Sequence, residues 1–264
     1  MQQTAVVTGA ASGLGYELMI LLAKDNYDLV LIDIDEVKLK TIQTEIQNSY
    51  NCKIEIIGTD LSKHNSAETV FETINNIKID VLVNCAGFGI YGSFTDTNWK
   101  EELAMLNLHI ITITHLTKLV LHGMVKRNCG KILNVSSLAA FQPGPMMALY
   151  YASKSYLLSF SEAIANELKD TAVTVTVLCP GPTKTCFQEV VSSTSSNNKI
   201  SFNMACPKEV AAYGFKAMIK GKVVAVPGFF NKLLANLPRV LSRNRTTSIV
   251  RKIQEKNREE TPIT

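Results

Sequence analysis

The chain has 264 residues with a formal net charge of +4, and 46% of its residues are hydrophobic. A chain of this length and composition can bury the core of one large domain, which excludes an intrinsically disordered protein. The modest charge does not indicate a nucleic-acid partner. The six cysteines form no Cys-x-x-Cys pair or zinc spacing, which favours a reduced, cytoplasmic protein without a metal site.

The N-terminus carries no basic residue before the first apolar run, so no signal peptide is predicted. We also expect no membrane-spanning helix, since no apolar stretch was found to reach the roughly 20 residues that a span needs. Both observations agree with a cytoplasmic location.

Short apolar runs alternate with longer amphipathic ones, a pattern typical of a parallel sheet wound with helices. Strands are predicted at residues 5–8, 29–33, 54–58, 81–84, 131–135, 173–178 and 222–226. Helices are predicted at about 14–25, 36–49, 63–77, 98–126, 150–169 and 207–219. Because the strands are continuously apolar, both faces of the sheet should be covered. The sequence therefore predicts an α/β fold with one doubly wound parallel sheet of about seven strands.

Two stretches depart from this alternation. Residues 186–206 are rich in Ser, Asn and Thr but contain large apolar residues, and we interpret them as a substrate lid. Residues 229–264 form an amphipathic and basic extension after a main domain of residues 1–228. The extension is expected to pack on its own subunit or on a neighbouring one; peripheral contact with an anionic membrane is the alternative. Nucleic-acid binding is not expected, because no aromatic platforms accompany the basic residues.

A glycine-rich turn follows the first predicted strand and opens the first helix. A turn of this kind lets the backbone approach a pyrophosphate at the helix N-terminus. Gly9 and Gly13 would permit the tight turn and Gly15 close helix–strand packing. The turn also contains Ala11, Ser12 and Leu14. It predicts a dinucleotide site, with a purely structural turn as the alternative.

Asp33 ends the second predicted strand, where a carboxylate can accept hydrogen bonds from both hydroxyls of an adenine ribose. The same carboxylate would repel a 2′-phosphate, and no Arg or Lys directly follows it. The sequence therefore favours NAD, with NADP as the alternative. Asp35 is close by, and an ordinary surface role for Asp33 also remains open.

Tyr150 and Lys154 lie four residues apart and thus share one face of a predicted helix. An ammonium beside a phenol favours the phenolate, so Lys154 is expected to lower the pKa of Tyr150. The pair is a candidate acid/base device near neutral pH.

These features together resemble the short-chain dehydrogenase/reductase superfamily over about residues 4–226, and the extension resembles a broad-substrate, uncharacterised bacterial-type subgroup. Further motifs match in order: Asp60-Leu61, Asn84-Cys85-Ala86-Gly87, Asn107, Ser137, and the segment from Pro180 through Gly181 and Thr183 to Thr185. Cys85 and Thr183 depart from the usual residues. The resemblance implies a Rossmann-like fold and hydride transfer between a nicotinamide and an alcohol or ketone.

The resemblance also implies roles for individual residues. Tyr150 would exchange the proton, Lys154 would hold the nicotinamide ribose, Ser137 would hydrogen-bond the substrate oxygen, and Asn107 would fix a water connected to Lys154. The family's cofactor residues map onto the glycine turn, Asp33, Asp60, Leu61, Asn84, Ala86, Gly87, the 180–185 segment, and the catalytic Tyr and Lys.

Several neighbouring residues have other interpretations. Tyr151 and Ser136 are expected to be structural rather than catalytic, and Asn107 could simply cap a kink. The four histidines, including His109, are expected to be surface or packing residues.

The residues expected around the substrate are apolar: Phe88, Phe141, Met146 and Phe187, with Phe202 and Met204 in the lid. They predict a lipophilic alcohol or ketone as the substrate. By analogy with the superfamily, the protein is expected to be a homodimer or homotetramer. The competing hypothesis is an NAD-binding scaffold or sensor that kept the fold without turnover.

Overall fold

The computed structural model describes residues 2–185 and 204–256, so most of the predicted lid, with Phe187 and Phe202, lies outside the described residues. The strands are β1 Thr4–Thr8, β2 Asp28–Asp33, β3 Ile54–Gly58, β4 Ile79–Asn84, β5 Gly130–Val135, β6 Val173–Leu178 and β7 Val224–Ala225. All pair in parallel, in the order β3-β2-β1-β4-β5-β6-β7. The predicted seven-stranded α/β fold is confirmed.

Helices connect the strands and continue after them. They are α1 Gly13–Lys24, α2 Glu36–Ser49, α3 Ser66–Ile74, α4 Trp99–Leu106, α5 Ile113–Lys126, α6 Ala148–Glu167, α7 Pro207–Ile219, α8 Phe229–Asn236 and α9 Arg243–Lys256. A π-helical turn, Asn107–Thr112, joins α4 to α5. The prediction of one uninterrupted helix over 98–126 missed this turn.

The core consists of two apolar layers, one on each face of the sheet. Neighbouring strand residues point to opposite faces, so Val7 joins the layer with Leu18 of α1, whereas Val6 joins the layer with Leu116 of α5. Burying both faces explains why the strands are continuously apolar.

The helical stretch Trp99–Lys126 is long and apolar enough to cross a membrane by length and composition. The expectation that no stretch reaches this length was therefore wrong. In the structure, 44% of its apolar window is buried, and α5 packs on β4, β5 and α3, as the core helix of a folded domain does.

The C-terminal extension packs on its own chain. Helix α8 contacts the short 3-10 turn Leu138–Phe141, and Val250 of α9 joins a buried cluster with Tyr150 and Tyr151. The two helices cover the carboxyl ends of the central strands and form one wall of the cavity described below.

Candidate active site

A cavity of about 880 Å³ lies at the carboxyl ends of the strands. The chain order of the strands reverses between β1 and β4, and open α/β sheets bind ligands outside such a switch point. The cavity extends from Asp33 at the end of β2, past Gly9 and Ala86, to residues of α8 and α9.

The glycine turn approaches β4 more closely than a side chain would allow. Gly9 has φ +69°, and a Cβ there would lie 2.9 Å from the Ala86 backbone; Gly13 has φ +55° and faces Thr185. Both conformations favour glycine. Gly15 lies behind the turn against the Gly9 carbonyl, as predicted for close packing. The cavity-lining residues of the turn are Gly9, Ser12, Gly13 and Leu14.

Asp33 faces the cavity, but it also holds the turn. Its Oδ2 accepts from the Ala11 N–H at 2.9 Å and its Oδ1 from the Asp35 N–H at 3.1 Å. Asp35 has a different task, because its carboxylate caps α2 by accepting from the Lys38 N–H. Of these two aspartates, Asp33 is therefore the one at the glycine-turn end of the cavity.

Asp60 and Leu61 line the cavity beyond β3. Asp60 Oδ1 accepts from both the amide and the hydroxyl of Ser62. Burial alone would raise the pKa of Asp60, but these hydrogen bonds and the nearby Lys63 lower it below its ordinary value. The carboxylate is thus held ionised and in place.

Polar side chains tie the strand ends together beneath the cavity. Thr8 Oγ1 accepts from the Cys85 and Ala86 N–H groups, and Asn84 Nδ2 donates to Thr117 and Asn134. Asn84 is buried and is not among the described cavity-lining residues, whereas Ala86 and Gly87 are. Asn84 therefore fixes the geometry of the site from below.

Tyr150, Lys154 and Ser137 meet inside the cavity. Lys154 Nζ lies 5.7 Å from the centroid of the Tyr150 ring and donates to the Val135 carbonyl at 3.2 Å. Ser137 shares a side-chain hydrogen bond with Tyr150, and its Oγ accepts from the Ala139 N–H. The structure brings together these three residues, which the sequence analysis placed in one site.

The pKa values correct one expectation about this cluster. Burial raises the pKa of Tyr150 above its ordinary value, although the Ser137 hydrogen bond acts to lower it. Burial likewise lowers the pKa of Lys154, to about 8. Burial thus outweighs the charge of the nearby Lys154 ammonium, and the pKa of Tyr150 is raised rather than lowered as predicted.

The two neighbouring residues that could have competed are structural. Ser136 Oγ donates to the Lys154 carbonyl at 2.9 Å. The Tyr151 hydroxyl accepts from Gln254 Nε2 at 2.6 Å, and the ring covers Gly144. Ser136 therefore anchors α6 to β5, and Tyr151 anchors α9 to α6.

The structure does not bring Asn107 to this cluster. Leu108 is among the described residues that line the cavity and Asn107 is not. The side chain beside Lys154 is His109, which is fully buried and hydrogen-bonded to Ser153 and to the Phe88 N–H. His109 was expected to be a surface or packing residue, and that expectation did not include its position beside Lys154. Successive residues of a helix point in different directions. The π-helical turn Asn107–Thr112 therefore determines which side chain of this segment points toward Lys154.

The segment that is expected to face a nicotinamide lies beneath the extension. Pro180, Gly181, Thr183 and Thr185 line the cavity, and Thr183 Oγ1 donates to the Gly181 carbonyl at 2.9 Å. A Cβ on Gly181 would lie 2.9 Å from the Asn231 side chain of α8. Helix α8 thus packs directly on this segment.

The predicted substrate residues are only partly brought together. Phe88 lines the cavity, but Phe141 packs beside Leu138 in a separate cluster, and Met147 takes the place expected for Met146. Met146 has φ +67°, and this backbone conformation turns its side chain away from the cavity.

The sequence analysis did not place the C-terminal extension at the site. Its apolar residues line the cavity: Leu234, Leu237, Leu241, Ile249, Val250 and Ile253. The apolar residues Ile249, Val250 and Ile253 recur at helical spacing, a pattern that the sequence does contain.

The described residues fit a dinucleotide. A backbone cradle that a Cβ would fill lies at a helix N-terminus, and Asp33 lies at the adjacent end of the cavity. Within residues 2–185 and 204–256, no group of three or more His, Cys, Asp or Glu side chains could hold a metal ion.

Comparison with known proteins extends these observations. A family model described as short chain dehydrogenase matches residues 3–196. The mouse 17-beta-hydroxysteroid dehydrogenase type 3 is 33% identical over 182 residues, which is 68% of this chain and 60% of that protein. The very-long-chain 3-oxoacyl-CoA reductase of Mycosarcoma maydis is 30% identical over 81% of this chain and 61% of its own length. The chain thus spans about three fifths of these two relatives.

Solved structures share the fold. A 7beta-hydroxysteroid dehydrogenase superposes with a TM-score of 0.84 at 23% identity, covering 94% of this chain and 96% of that one. A Burkholderia phymatum short chain dehydrogenase/reductase in complex with NAD gives 0.80 at 19% identity, covering 100% and 98%. A Sphingobium yanoikuyae short-chain dehydrogenase in complex with NADPH gives 0.79 at 22% identity, covering 92% and 99%.

Proposed function

We propose that this chain, which belongs to the short chain dehydrogenase family, uses NAD to interconvert a lipophilic secondary alcohol and its ketone. The family and the named relatives make it an oxidoreductase acting on CH–OH and C=O groups. The observation that carries the proposal is the cluster of Tyr150, Ser137 and Lys154 within one cavity.

The residues of this cluster would divide the work. The nicotinamide, when bound, supplies or takes the hydride. Tyr150 gives its proton to the ketone oxygen in reduction, or takes the alcohol proton in oxidation, across a hydrogen bond of roughly 2.6–3.2 Å. Ser137 donates to the same oxygen as negative charge develops there. Because the pKa of Tyr150 is raised, the phenol is protonated at neutral pH and is ready as the acid in reduction.

Lys154 would act mainly through its charge and position. Its ammonium is buried and held by the Val135 carbonyl, in a part of the cavity shared with Gly87. An ammonium there attracts electron-rich ribose oxygens and stabilises a phenolate once Tyr150 has given up its proton. We place the nicotinamide ribose against Lys154 on this ground.

The choice of NAD rests on Asp33. Its carboxylate lines the cavity, and Ile34 beside it is 69% exposed and uncharged. A 2′-phosphate at this end would meet a negative charge without an adjacent cation to neutralise it. Relatives of the same fold have been solved with NAD and with NADPH, so the preference is argued from this chain's own residues.

We infer a lipophilic substrate from the cavity wall that the C-terminal extension forms. Leucine, isoleucine and valine side chains of the extension dominate it, and Phe88 and Met147 complete it. An apolar wall of this kind favours a hydrocarbon body with one reacting oxygen. Relatives named for hydroxysteroids and for very-long-chain oxoacyl-CoA agree with this class of substrate.

Partners and location remain proposals of the same kind. We propose a homodimer or homotetramer in the cytoplasm. Phe229 and Phe230 of α8 are each 77% exposed. We propose that these two side chains make the peripheral contact with a membrane.

The test is turnover of a panel of hydroxy-lipids, steroids and aromatic ketones with NAD(H) and NADP(H), by absorbance at the reduced nicotinamide band. Wild type should act on lipophilic members and prefer NAD(H). Tyr150→Phe should lose activity yet still bind NADH. Tyr156→Phe, on the same helix but bonded to Thr114 away from the cavity, is the matched control.

The alternative is an NAD-binding scaffold with the same fold. The intact contacts among Tyr150, Ser137 and Lys154 speak against it. It would gain support if wild type and Tyr150→Phe were equally inactive on the whole panel while both bound NADH.

A further inference from the structure

The π-helical turn Asn107–Thr112 points one imidazole into the catalytic centre. Such turns are rare and frequently occur at functional sites. His109 lies in this turn and is fully buried, between the rings of Phe88 and Tyr150, with centroids at 6.2 and 6.0 Å. The mechanism proposed above gives it no task.

The hydrogen bonds of His109 specify its protonation state. Nε2 accepts from the Phe88 N–H at 3.3 Å, and a backbone amide can only donate, so Nε2 carries no proton. Nδ1 of the neutral ring is then the donor to Ser153 Oγ at 3.0 Å, and Ser153 donates onward to the Tyr150 carbonyl at 2.8 Å. One directed chain thus runs from Phe88 through His109 and Ser153 to Tyr150.

The imidazole also faces Lys154 across Gly87. A Cβ placed on Gly87 would lie 2.8 Å from His109 Nε2 and 3.6 Å from Lys154 Nζ. Only a glycine leaves room for both groups. A protonated His109 would lose its bond from Phe88 and place a second positive charge beside the ammonium. Burial and Lys154 accordingly lower the pKa of His109 well below 6.5.

We propose that neutral His109 is a positioning residue that holds Tyr150 and Lys154 of α6 in register with the backbone at Gly87 and Phe88. It lies beside Lys154, whereas the resemblance assigned to Asn107 the task of fixing a water connected to that residue. This role rests on the proposed function, because the positioned groups are its acid and its cation. A displacement of about 1 Å at such groups can lower turnover about 100-fold.

Three substitutions at His109 distinguish the contribution of Nδ1 from that of Nε2. His109→Asn keeps a donor near the Nδ1 position, His109→Gln keeps a polar group near the Nε2 position, and His109→Ala keeps neither. We expect His109→Ala to lose about 100-fold in kcat, with NADH affinity nearly unchanged, and His109→Asn to recover at least tenfold of that loss. His122→Asn, an exposed position on α5, is the control.

A measurement without substrate tests the same inference. In 15N spectra of the histidine rings, the His109 signals, identified by their absence in His109→Asn, should show a neutral ring with its proton on Nδ1 at pH values where a free imidazole is already protonated. A His109 that titrates near 6.5, or that carries its proton on Nε2, would overturn the inference.

The two proposals can fail separately. If wild type turns over substrates and His109→Ala does so equally well, the positioning role is wrong and the proposed function stands. If wild type turns over nothing on the panel, the proposed function fails; the positioning role then fails with it unless a spectrum of Tyr150 ionisation shifts between wild type and His109→Ala.

Discussion

The two ends of the cavity are built differently. At the glycine-turn end, backbone approaches backbone: Gly9 touches Ala86, and Thr8 and Asp33 hold amide groups in place. At the other end, apolar side chains of α8 and α9 close over Met147 and Phe88. The first end allows little change because any added atom collides, whereas the second tolerates exchange of one apolar group for another. Shape at one end and hydrophobicity at the other should therefore respond to different substitutions.

The largest effect is expected at the junction of the two ends. Lys154→Met keeps the length of the side chain but removes the charge and leaves the Val135 carbonyl without its donor. Turnover should fall by about 10²–10⁴, measured as kcat on the best substrate of the panel. Lys118→Met, at an exposed position of α5, should leave kcat unchanged. Equal activity in both variants would contradict the placement of Lys154.

A methyl group at the glycine turn should affect stability and cofactor binding together. Gly9→Ala imposes a positive φ on a residue with a Cβ and pushes it against Ala86, which should cost about 1–3 kcal/mol of unfolding free energy. Urea unfolding and NADH titration measure the two effects. Gly123→Ala is the control, since there the nearest atom is the end of Arg127. If Gly9→Ala bound NADH like wild type, the backbone would not approach the cofactor as closely as we propose.

The cofactor choice should reverse when the charge at the end of β2 is reversed. Asp33→Ser combined with Ile34→Arg removes the repelling carboxylate and supplies a cation, so the kcat/KM ratio of NAD to NADP should fall about 10–100-fold, the value of one or two charged hydrogen bonds. Asp35→Ser, which alters only the cap of α2, should leave the ratio unchanged. A wild type that already prefers NADP would show that Asp33 has been misinterpreted.

The buried imidazole should make the protein sensitive to acid. The pKa of His109 is lowered in the folded state. Below pH 6.5 its imidazole therefore binds a proton in the unfolded state but not in the folded state. Stability then falls as pH drops, by up to about 1.4 kcal/mol per pH unit from this one group. His109→Asn should show a flatter profile between pH 6.5 and 5 in urea unfolding. Parallel profiles for the two proteins would mean that the folded state accepts this proton.

The smallest effect is expected at the apolar wall. Ile249 lines the cavity and is 42% exposed, so Ile249→Ser should change stability little while raising KM for a lipophilic substrate about fivefold to tenfold, from the apolar area lost. NADH affinity should stay constant. Ile219→Ser, similarly exposed on α7 but outside the cavity, should leave KM as it is. A change in NADH affinity instead would mean that the two ends are not independent.

The sequence predicted one of these ends far better than the other. Glycines, a strand-ending aspartate and a Tyr–Lys pair must stand at particular spacings because they act through backbone geometry, and those spacings are visible in the chain. The wall of α8 and α9 depends on which apolar residues happen to meet after folding. Its helical period is visible in the apolar residues Ile249, Val250 and Ile253, but nothing in the local sequence shows that this face covers a cavity.

His109 illustrates a different limit. Asn107 and His109 differ by two positions, which in an ordinary α-helix would place them on nearly opposite sides. The π-helical turn changes that phase, and it packs against α4, α5 and α6. The family resemblance assigned the role to Asn107, whereas the structure points His109, two positions further along the chain, toward Lys154.

The last strand has only two residues, Val224–Ala225, and Gly228 follows at φ +85° before the cover of the cavity begins. The cover thus leaves the sheet at its edge, after every strand that supports the glycine turn has been completed. A substitution on the cavity side of that cover can therefore reshape the space for the substrate without altering any strand that carries the glycine turn.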